Sequence, residues 1–325
     1  MAASISNPTA CVDVIIAVWN EADTIGRAIR SALSQIDVSR VIVIDDHSTD
    51  NTFSVVRSLI DEVGNRIVLH RLDRNGGPAA ARNSGLRLAN APWIAVLDGD
   101  DYFLPGRIRA LLDASDGADF VADDQIQIRE GESADVNSCG NFLIGLKSPI
   151  KLDLATFLTE NISSSRRHRK EFGFLKPIMR RAFLDLHQLR YDERLRLGED
   201  FALYARALAA GAVFRIIPSQ SYVSVIRSGS ISGNHTREDL ERLRDSDKAL
   251  QQLPALTPKE VLLVQQHYES IDARVQWLNV IDAVKMRSFM AFVSPFFIRW
   301  TTFAFLVSRL WEQVVLRSKK SLGFS

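Results

Sequence analysis

The first third of the chain alternates between short apolar runs and stretches with helical spacing of apolar positions. The short runs are rich in β-branched residues, which is typical of strands covered on both faces. They are residues 12–18, 41–44, 67–69 and 93–97. Between them, apolar residues recur at intervals of three and four, which predicts amphipathic helices. These helices are predicted over residues 24–33, 52–63 and 78–89. Repeated strand–helix–strand units imply a mostly parallel sheet with right-handed crossovers.

Polar residues follow each of the four apolar runs. The sequence reads WNE after the first run, DDHSTD after the second, RNGGPAAARNSG after the third and DGDD after the fourth. Ligands of such sheets sit outside the carboxyl ends of the strands, so we expect a binding site at this edge. A further strand is predicted over residues 119–128, and helical patterning resumes from residue 237.

Composition narrows the class of protein. The chain has 325 residues, 46% of them hydrophobic, which is enough for one large domain or one domain plus an extension. A formal net charge of +1 gives no overall field that would attract nucleic acid. Cys11 and Cys139 are far apart and have no metal-ligand spacing, which favours a reducing cytosol. The N-terminus lacks a basic signal-peptide region, and no window of about twenty residues is free of charge, which argues against a spanning helix.

Three carboxylates, Asp98, Asp100 and Asp101, lie within four positions after the fourth run. Their mutual repulsion would raise the pKa of at least one of them unless a cation is present. Mg²⁺ or Mn²⁺ commonly takes one or two carboxylates and completes its shell with phosphate oxygens and water, so the cluster predicts a phosphorylated ligand. The alternative is that these residues turn the chain or cap the next helix.

The second and third polar edges favour a nucleotide. Asp45 and Asp46 follow a predicted buried strand, where carboxylates can accept hydrogen bonds from ribose hydroxyls or a base N–H. The NGGP segment combines flexible glycines with the start of a small-residue helix, and Arg82 offers a planar charged fork. Neither the dinucleotide fingerprint nor the P-loop is present. The polar residues at these strand ends together favour a nucleotide diphosphate that is bound with a metal ion. They do not determine which reaction takes place.

These motifs together resemble the family 2 glycosyltransferases of the GT-A fold. The resemblance covers roughly the first 235 residues, through VDVIIAVWNEADTIGRAIRSALSQ, VIVIDDHSTDNT, NGGPAAARNSG, VLDGDDYFLPGRI and GFLKPIMRRAFLDLHQLRYDERLRLGEDFALYARALAAG, and it fades near SGSIS. It implies an α/β fold with a mostly parallel mixed central sheet flanked by helices and a helical C-terminal extension. The catalytic domain would span residues 1–235, with a nucleotide-sugar half to about residue 130 and an acceptor half beyond it. Residues 236–325 would form the helical region.

The resemblance also implies roles for single residues. Val18, Asn20 and Glu21 would line the base pocket, and Asp46 would read the uracil. Asp98 would face the ribose or diphosphate, Asp100 would bind Mn²⁺ or Mg²⁺, and Arg82 would support the nucleotide. Two positions depart from the family pattern, which are Trp19 in place of the common Tyr and His47 in place of the common Gly. A side chain at position 47 puts the local turn geometry in question.

Glu199 and Asp200 form the acidic pair of RLGEDFALYARALAAG. Taken alone, acidic residues that open a helix are ordinary partners of the helix dipole. The resemblance implies instead that Asp200 is the general base of an inverting transfer, with Glu199 beside it. Arg227, Ser230 and His235 resemble the family's loop near the diphosphate. His235 is either a contact to metal or phosphate or a solvated loop histidine.

A helix with two contrasting faces is predicted over about residues 294–318. Arg299, Arg309, Gln313 and Arg317 gather on one arc, while the opposite arc is apolar and aromatic. Such a helix suits the surface of an anionic membrane, lying in it and not across it. The alternative is a helix packed on the catalytic domain or on a partner chain.

The narrower similarity of DGDDYFLPGRI and FVADDQI to bacterial glucosyltransferases of succinoglycan-type exopolysaccharides implies the substrates. We expect UDP-glucose as the donor and a lipid-linked oligosaccharide as the acceptor, at the cytoplasmic face of the bacterial inner membrane, with no nucleic acid partner. A non-catalytic nucleotide-sugar-binding or scaffold protein is an alternative. A nucleotidyltransferase is a third, although no Gly- and Lys-rich triphosphate loop is evident in the sequence.

Overall fold

The computed structural model describes residues 12–132, 145–162, 172–226 and 235–321. Cys11, Cys139, Arg227 and Ser230 therefore lie outside the described residues. The described chain divides into two compact units, of which the first contains the residues up to 161 and from 172 to 226. The second contains residue 162 and residues 235–321.

The predicted strand–helix alternation forms one side of a central sheet in the first unit. Its strands are β1 (Val12–Val18), β2 (Val38–Asp45), β3 (Ile67–Arg71) and β4 (Trp93–Asp98). They lie parallel in the order β3-β2-β1-β4. The helices that connect them are α1 (Ile25–Leu33), α2 (Thr52–Val63) and α3 (Pro78–Leu88). These elements confirm the prediction, apart from a few residues at their ends.

The other side of the sheet mixes strand directions. Its elements are β5 (Tyr102–Phe103), α4 (Arg107–Asp113), β6 (Phe120–Arg129), β7 (Ile150–Leu152), α5 (Leu154–Asn161), a 3-10 helix (Phe172–Phe174), β8 (Ile178–Arg180), α6 (Arg181–Leu186), α7 (Glu199–Ala209) and β9 (Phe214–Ile226). β8 lies antiparallel between β4 and β6, and β9 runs parallel to β6 and antiparallel to β5 and β7. β8 thus joins the two halves of the sheet.

The core lies between the parallel strands and the helices on their faces. Helix α1 buries one stripe of apolar residues against the sheet, which are Ile25, Ala28, Ile29 and Ala32. Helix α3 approaches β1 so closely that a Cβ on Gly85 would lie 2.4 Å from Cγ2 of Ile15. This contact packs the small-residue helix closely against the middle of β1.

The second unit is helical, as the sequence predicts. It contains α8 (Arg237–Gln251), α9 (Pro258–Lys285), α10 (Phe289–Val293), a 3-10 helix (Ser294–Phe297) and α11 (Trp300–Ser321). Thr236 and Thr257 each start a helix with a reciprocal capping box. The last long helix begins at Trp300, since residues 294–297 form a 3-10 turn, a common conformation at helix ends. Within the part of the chain that the structure describes, every helix is too short or too polar to cross a membrane.

Candidate active site

Polar side chains converge where β1, β2 and β4 end. Asp98 is the last residue of β4, and Arg82 lies in α3 beside it. Helix α7 starts at Glu199 and Asp200, directly after Gly198, whose φ of 74° suits a residue without a side chain. The site predicted at the carboxyl ends of the strands thus lies next to the N-terminus of α7.

Arg82 connects the two predicted groups of carboxylates. Its Nη2 donates to Oδ1 of Asp98 at 2.7 Å, and its Nη1 donates to Oε1 of Glu199 at 2.6 Å and to Oδ1 of Asp200 at 3.1 Å. The guanidinium also lies 5.4 Å from the centre of the Tyr191 ring. These ion pairs bring Asp98, which is predicted to face the donor, and the predicted base into contact with one buried cation.

Lys176 is a second cation at the same place, which the sequence analysis did not identify. Its Nζ lies 2.9 Å from Oδ2 of Asp98 and 2.7 Å from Oδ2 of Asp200. Asp98, Arg82, Asp200 and Lys176 thus form a closed ring of alternating charges, which we name the charge ring. The sequence does contain a signal for this residue: a lysine between apolar residues, just before a strand, is expected to be buried. Because lysine is almost never fully buried without a partner, such a position indicates an ion pair.

Contacts within the charge ring shift the pKa values of Asp98 and Lys176. Burial by itself would raise the pKa of Asp98, but the charges of Lys176 and Arg82 outweigh it and hold the pKa well below its ordinary range. Burial would lower the pKa of Lys176, yet the charges of Asp200 and Asp98 raise it, so Lys176 is a cation. Burial and the charge of Asp200 raise the pKa of Glu199, although Arg82 opposes them.

The three carboxylates after β4 have different surroundings. Asp101 is buried, and its oxygens accept hydrogen bonds from the Tyr222 hydroxyl at 2.7 Å and from the Val225 N–H at 2.8 Å. Burial, followed by the charges of Asp98 and Asp100, raises the pKa of Asp101 well above its ordinary value. Lys176 and Arg82 therefore stabilise the Asp98 carboxylate, while burial favours the neutral form of Asp101, so repulsion among the three does not by itself require a metal ion.

Asp100 remains the residue that suits a metal. Its side chain is half-buried at the edge of the sheet. Among the described residues, no group of three or more His, Cys, Asp or Glu side chains could hold an ion by itself. Mg²⁺ and Mn²⁺ accept one carboxylate when phosphate oxygens and water complete the shell. The residues present therefore fit an ion that arrives with a diphosphate.

Asp46 organises the glycine loop. Its two carboxylate oxygens accept hydrogen bonds from the backbone N–H groups of Gly76 and Gly77, at 2.7 and 2.8 Å. Burial raises the pKa of Asp46, although these two N–H groups oppose the shift. The contact connects the end of β2 to the start of α3. A hydrogen bond from the uracil base to Asp46 stays a prediction. Each carboxylate oxygen retains a second lone pair that could accept it.

The predicted base pocket lies around the end of β1. The carbonyl of Val18 accepts from the Asp46 N–H at 2.8 Å, and Oδ1 of Asn20 accepts from the Thr49 N–H at 2.8 Å. The Glu21 carboxylate lies over Gly99, where an added Cβ would be 2.0 Å from Oε2. The structure thus brings Val18, Asn20 and Glu21 to the same edge as Asp46.

Both departures from the family pattern lie at this edge. Trp19 exposes 45% of its surface, so an aromatic wall is open to solvent. His47 adopts a φ of 62°, in the left-handed region that glycine occupies more easily, and its Nδ1 lies 3.2 Å from the Leu72 carbonyl. The turn therefore keeps a glycine-like conformation with a side chain present.

Arg227 and Ser230 of the predicted diphosphate loop are among the residues that the structure does not describe, whereas His235 is described. His235 belongs to the second unit, where burial and then the charge of Arg274 lower its pKa.

Comparisons with known proteins agree with this geometry. A family model described as glycosyl transferase family 2 matches residues 13–181. The chain is 44% identical over 278 residues to the succinoglycan biosynthesis protein ExoU of Rhizobium meliloti (strain 1021), a match that covers 86% of this chain and 80% of that protein. It is 36% identical over 296 residues to ExoO of the same organism, covering 89% and 83%.

A more distant match is the UDP-Glc:alpha-D-GlcNAc-diphosphoundecaprenol beta-1,3-glucosyltransferase WfaP of Escherichia coli, 39% identical over 98 residues, 30% of this chain and 38% of that protein. The crystal structure of S. aureus TarS 1–349 in complex with UDP-GlcNAc superposes with a TM-score of 0.62 at 16% identity, covering 87% of this chain and 89% of that one. This likeness confirms the predicted GT-A fold. The chain is a transferase and belongs to glycosyl transferase family 2.

Proposed function

We propose that this chain transfers a hexose, with glucose from UDP-glucose as the first expectation, to a lipid-linked oligosaccharide in bacterial exopolysaccharide biosynthesis. One observation carries the proposal: Arg82 and Lys176 hold Asp98, at the donor edge, and the Glu199–Asp200 pair within ion-pair distance. The names of ExoU and ExoO support the pathway, and the name of WfaP supports the donor and the lipid-linked acceptor.

The chemistry follows from the position of Asp200. The acceptor hydroxyl oxygen attacks the anomeric carbon, the bond from that carbon to the diphosphate oxygen breaks, and Asp200 takes the hydroxyl proton. Proton transfer of this kind supplies about 10² to 10⁴ in rate, or about 3–5 kcal/mol of barrier. A single displacement inverts the anomeric carbon, so an α-linked donor gives a β-linkage.

The donor diphosphate needs charge stabilisation as it leaves. Asp100 would hold Mn²⁺ or Mg²⁺ together with diphosphate oxygens, and the bound ion supplies Lewis-acid stabilisation of the leaving group. Arg82, whose two terminal nitrogens both donate to carboxylates, keeps Asp98 oriented toward the ribose and diphosphate. Asn20, Glu21 and Asp46 contribute the base-side edge.

UDP release tests the enzyme proposal. Wild-type protein with UDP-glucose, a membrane-lipid acceptor extract and Mn²⁺ should release UDP, while Asp200→Asn should lower turnover roughly 10²-fold or more with UDP affinity retained. Asp113→Asn, which changes a carboxylate whose side chain is 66% exposed, is the matched control. Absence of UDP release with every donor tested would favour the non-catalytic alternative. Pyrophosphate in place of UDP would indicate a nucleotidyltransferase.

Metal dependence is tested separately. Asp100→Asn should fold normally and lose the increase in UDP affinity that divalent ion provides. An equal UDP affinity of wild type and variant, titrated with and without Mn²⁺, would contradict the assignment of Asp100.

A lipid surface fits the second unit. Helix α11 buries Thr302 and Leu306, while its predicted apolar arc is exposed, with Trp300 at 78% and Trp311 at 69%. Other large apolar side chains of the unit are equally exposed, which are Phe289, Met290 and Phe297. Burying such a side chain contributes about 1.5–3 kcal/mol. Aromatic residues on an amphipathic helix suit the headgroup boundary, where the protein would lie at the cytoplasmic face of the inner membrane.

Vesicle binding tests this surface. Wild-type protein should sediment with vesicles that contain phosphatidylglycerol, and the double substitution Trp300→Ser and Trp311→Ser should release it. Leu186→Ser, which removes a side chain of the first unit that is 77% exposed, should leave sedimentation unchanged. Retention of the double variant on vesicles would assign membrane binding to another surface.

A further inference from the structure

Both oxygens of the proposed base Asp200 accept from a cation. Oδ1 accepts from Arg82 at 3.1 Å, and Oδ2 accepts from Lys176 at 2.7 Å. The shorter contact is the one to Lys176. The orientation of the Asp200 carboxylate therefore depends on a residue outside the acidic motif.

The backbone of Lys176 is itself fixed by a buried ion pair. Nη2 of Arg107 donates to the carbonyl of Lys176 at 2.6 Å and to Oδ1 of Asp123 at 2.7 Å. Neither Arg107 nor Asp123 has exposed side-chain surface. The lysine thus starts from a rigid point, and only its side chain extends into the site.

The positive charge of Lys176 is needed to balance the acidic side chains of the site. The cluster contains three acidic side chains, Asp98, Glu199 and Asp200, and two cations. Without Lys176, Arg82 alone would compensate all three. Asp98 and Asp200, which now share one ammonium group, would then repel each other. Asp200, which Arg82 contacts at 3.1 Å, would turn away from Asp98, which Arg82 holds at 2.7 Å.

We propose that Lys176 is a positioning residue for the transfer reaction, which holds Asp200 at a fixed distance from Asp98 and so from the donor. The inference rests on the proposed function. A displacement of about 1 Å at a reacting group can cost roughly 10²-fold in rate. Donor affinity is much less affected, because Arg82 still holds Oδ1 of Asp98.

Kinetics of Lys176→Ala test the proposal. We expect kcat to fall roughly 10²-fold, with the donor KM and the UDP dissociation constant within about threefold of wild type. Propylammonium contains the atoms that Lys176→Ala lacks. At millimolar concentration it should raise the kcat of this variant about tenfold and leave the kcat of Asp200→Asn unchanged. Lys151→Ala, which changes an exposed lysine of β7, is the control.

Lys176→Arg keeps the cation and is the second variant, to be used if Lys176→Ala does not fold. It should retain more activity than Lys176→Met of equal stability. Wild-type kcat in Lys176→Ala, or a loss confined to UDP affinity, would overturn the proposal. The proposal would also be overturned if propylammonium did not restore folded Lys176→Ala and if folded Lys176→Arg were no more active than Lys176→Met. Both results together would indicate that the lysine has a steric role. An inactive wild type would refute the proposed function and the inference together, whereas an active wild type with active Lys176→Ala would refute only the inference.

Discussion

Replacing Arg82 by methionine removes the cation that contacts three carboxylates. The Arg82 side chain is 4% exposed, and methionine retains much of its apolar volume without the charge. Lys176 would then be the cation that remains beside the three carboxylates, in contact with Asp98 and Asp200. We expect Arg82→Met to lose stability chiefly through uncompensated charge, and to lose turnover with it.

The structure sets the size of the loss. Removing one partner of a buried ion pair costs roughly 3–5 kcal/mol. The Asp98 side chain is 32% exposed and keeps Lys176, which places the expected loss at the lower end of that range. A loss of about 3 kcal/mol corresponds to a decrease in Tm of about 6–12 °C for a unit of this size.

The sign of the pH dependence follows from Asp98. Arg82 helps to hold the pKa of Asp98 below its ordinary value, so its contribution to stability is present above the pKa of the unfolded chain. That contribution is lost as the pH falls through the folded-state value. The difference in free energy of unfolding between wild type and Arg82→Met should therefore be complete at pH 7 and smaller near pH 3, below the ordinary carboxyl pKa of about 4.

Urea unfolding followed by circular dichroism at both pH values measures this difference. Arg30→Met is the control, because Arg30 and Glu62 form a 3.8 Å pair in which both side chains are 62% exposed. Its loss should stay below about 1 kcal/mol. A similarly small loss for Arg82→Met at pH 7, or an equal loss at both pH values, would refute the charge argument, since a packing defect does not titrate.

Three further predictions concern single positions. Burial raises the folded-state pKa of Asp101 above the unfolded-state pKa, so the fold loses stability as the pH rises between the two and the buried acid ionises. Denaturant unfolding at pH 5 and pH 8 should therefore show that Asp101→Asn gains stability relative to wild type at the higher pH. Gly85→Ala should lose about 1–3 kcal/mol in denaturant unfolding, because its Cβ would overlap Ile15. Gly99→Ala should displace the Glu21 carboxylate and raise the donor KM several-fold in UDP-release kinetics, with stability nearly unchanged; an unchanged KM would show that Glu21 does not face the donor.

The period of the hydrophobic positions was sufficient to predict the parallel side of the sheet. The runs at β1, β2 and β4 contain few polar residues because helices or strands cover both faces, and this coverage is what the pattern reports. The convergence of their polar ends then follows from parallel strand direction. The antiparallel insertion of β8 between β4 and β6 could not be predicted, since three residues carry no distinct period.

The partners of the carboxylates were harder to predict than the carboxylates themselves. Arg82 and Glu199 are separated by 117 positions in the chain, and Lys176 and Asp200 by 24. Local spacing contains no information on such contacts. The sequence therefore indicated a cluster of like charges and an external cation, whereas the fold supplies two cations of its own.

This balance changes what a metal ion would do. Because Arg82 and Lys176 already compensate Asp98 and Asp200, a metal ion would serve the diphosphate and not the protein's carboxylates. The described residues contain no set of three ligands, so Mn²⁺ should bind weakly alone and tightly with UDP present. The electron paramagnetic resonance signal of free Mn²⁺ measures this directly: it should decrease on addition of UDP to the protein and not on addition of protein alone. Tight binding of Mn²⁺ without nucleotide would show that the protein itself provides a complete metal site, and the separation of roles between the charge ring and the ion would be wrong.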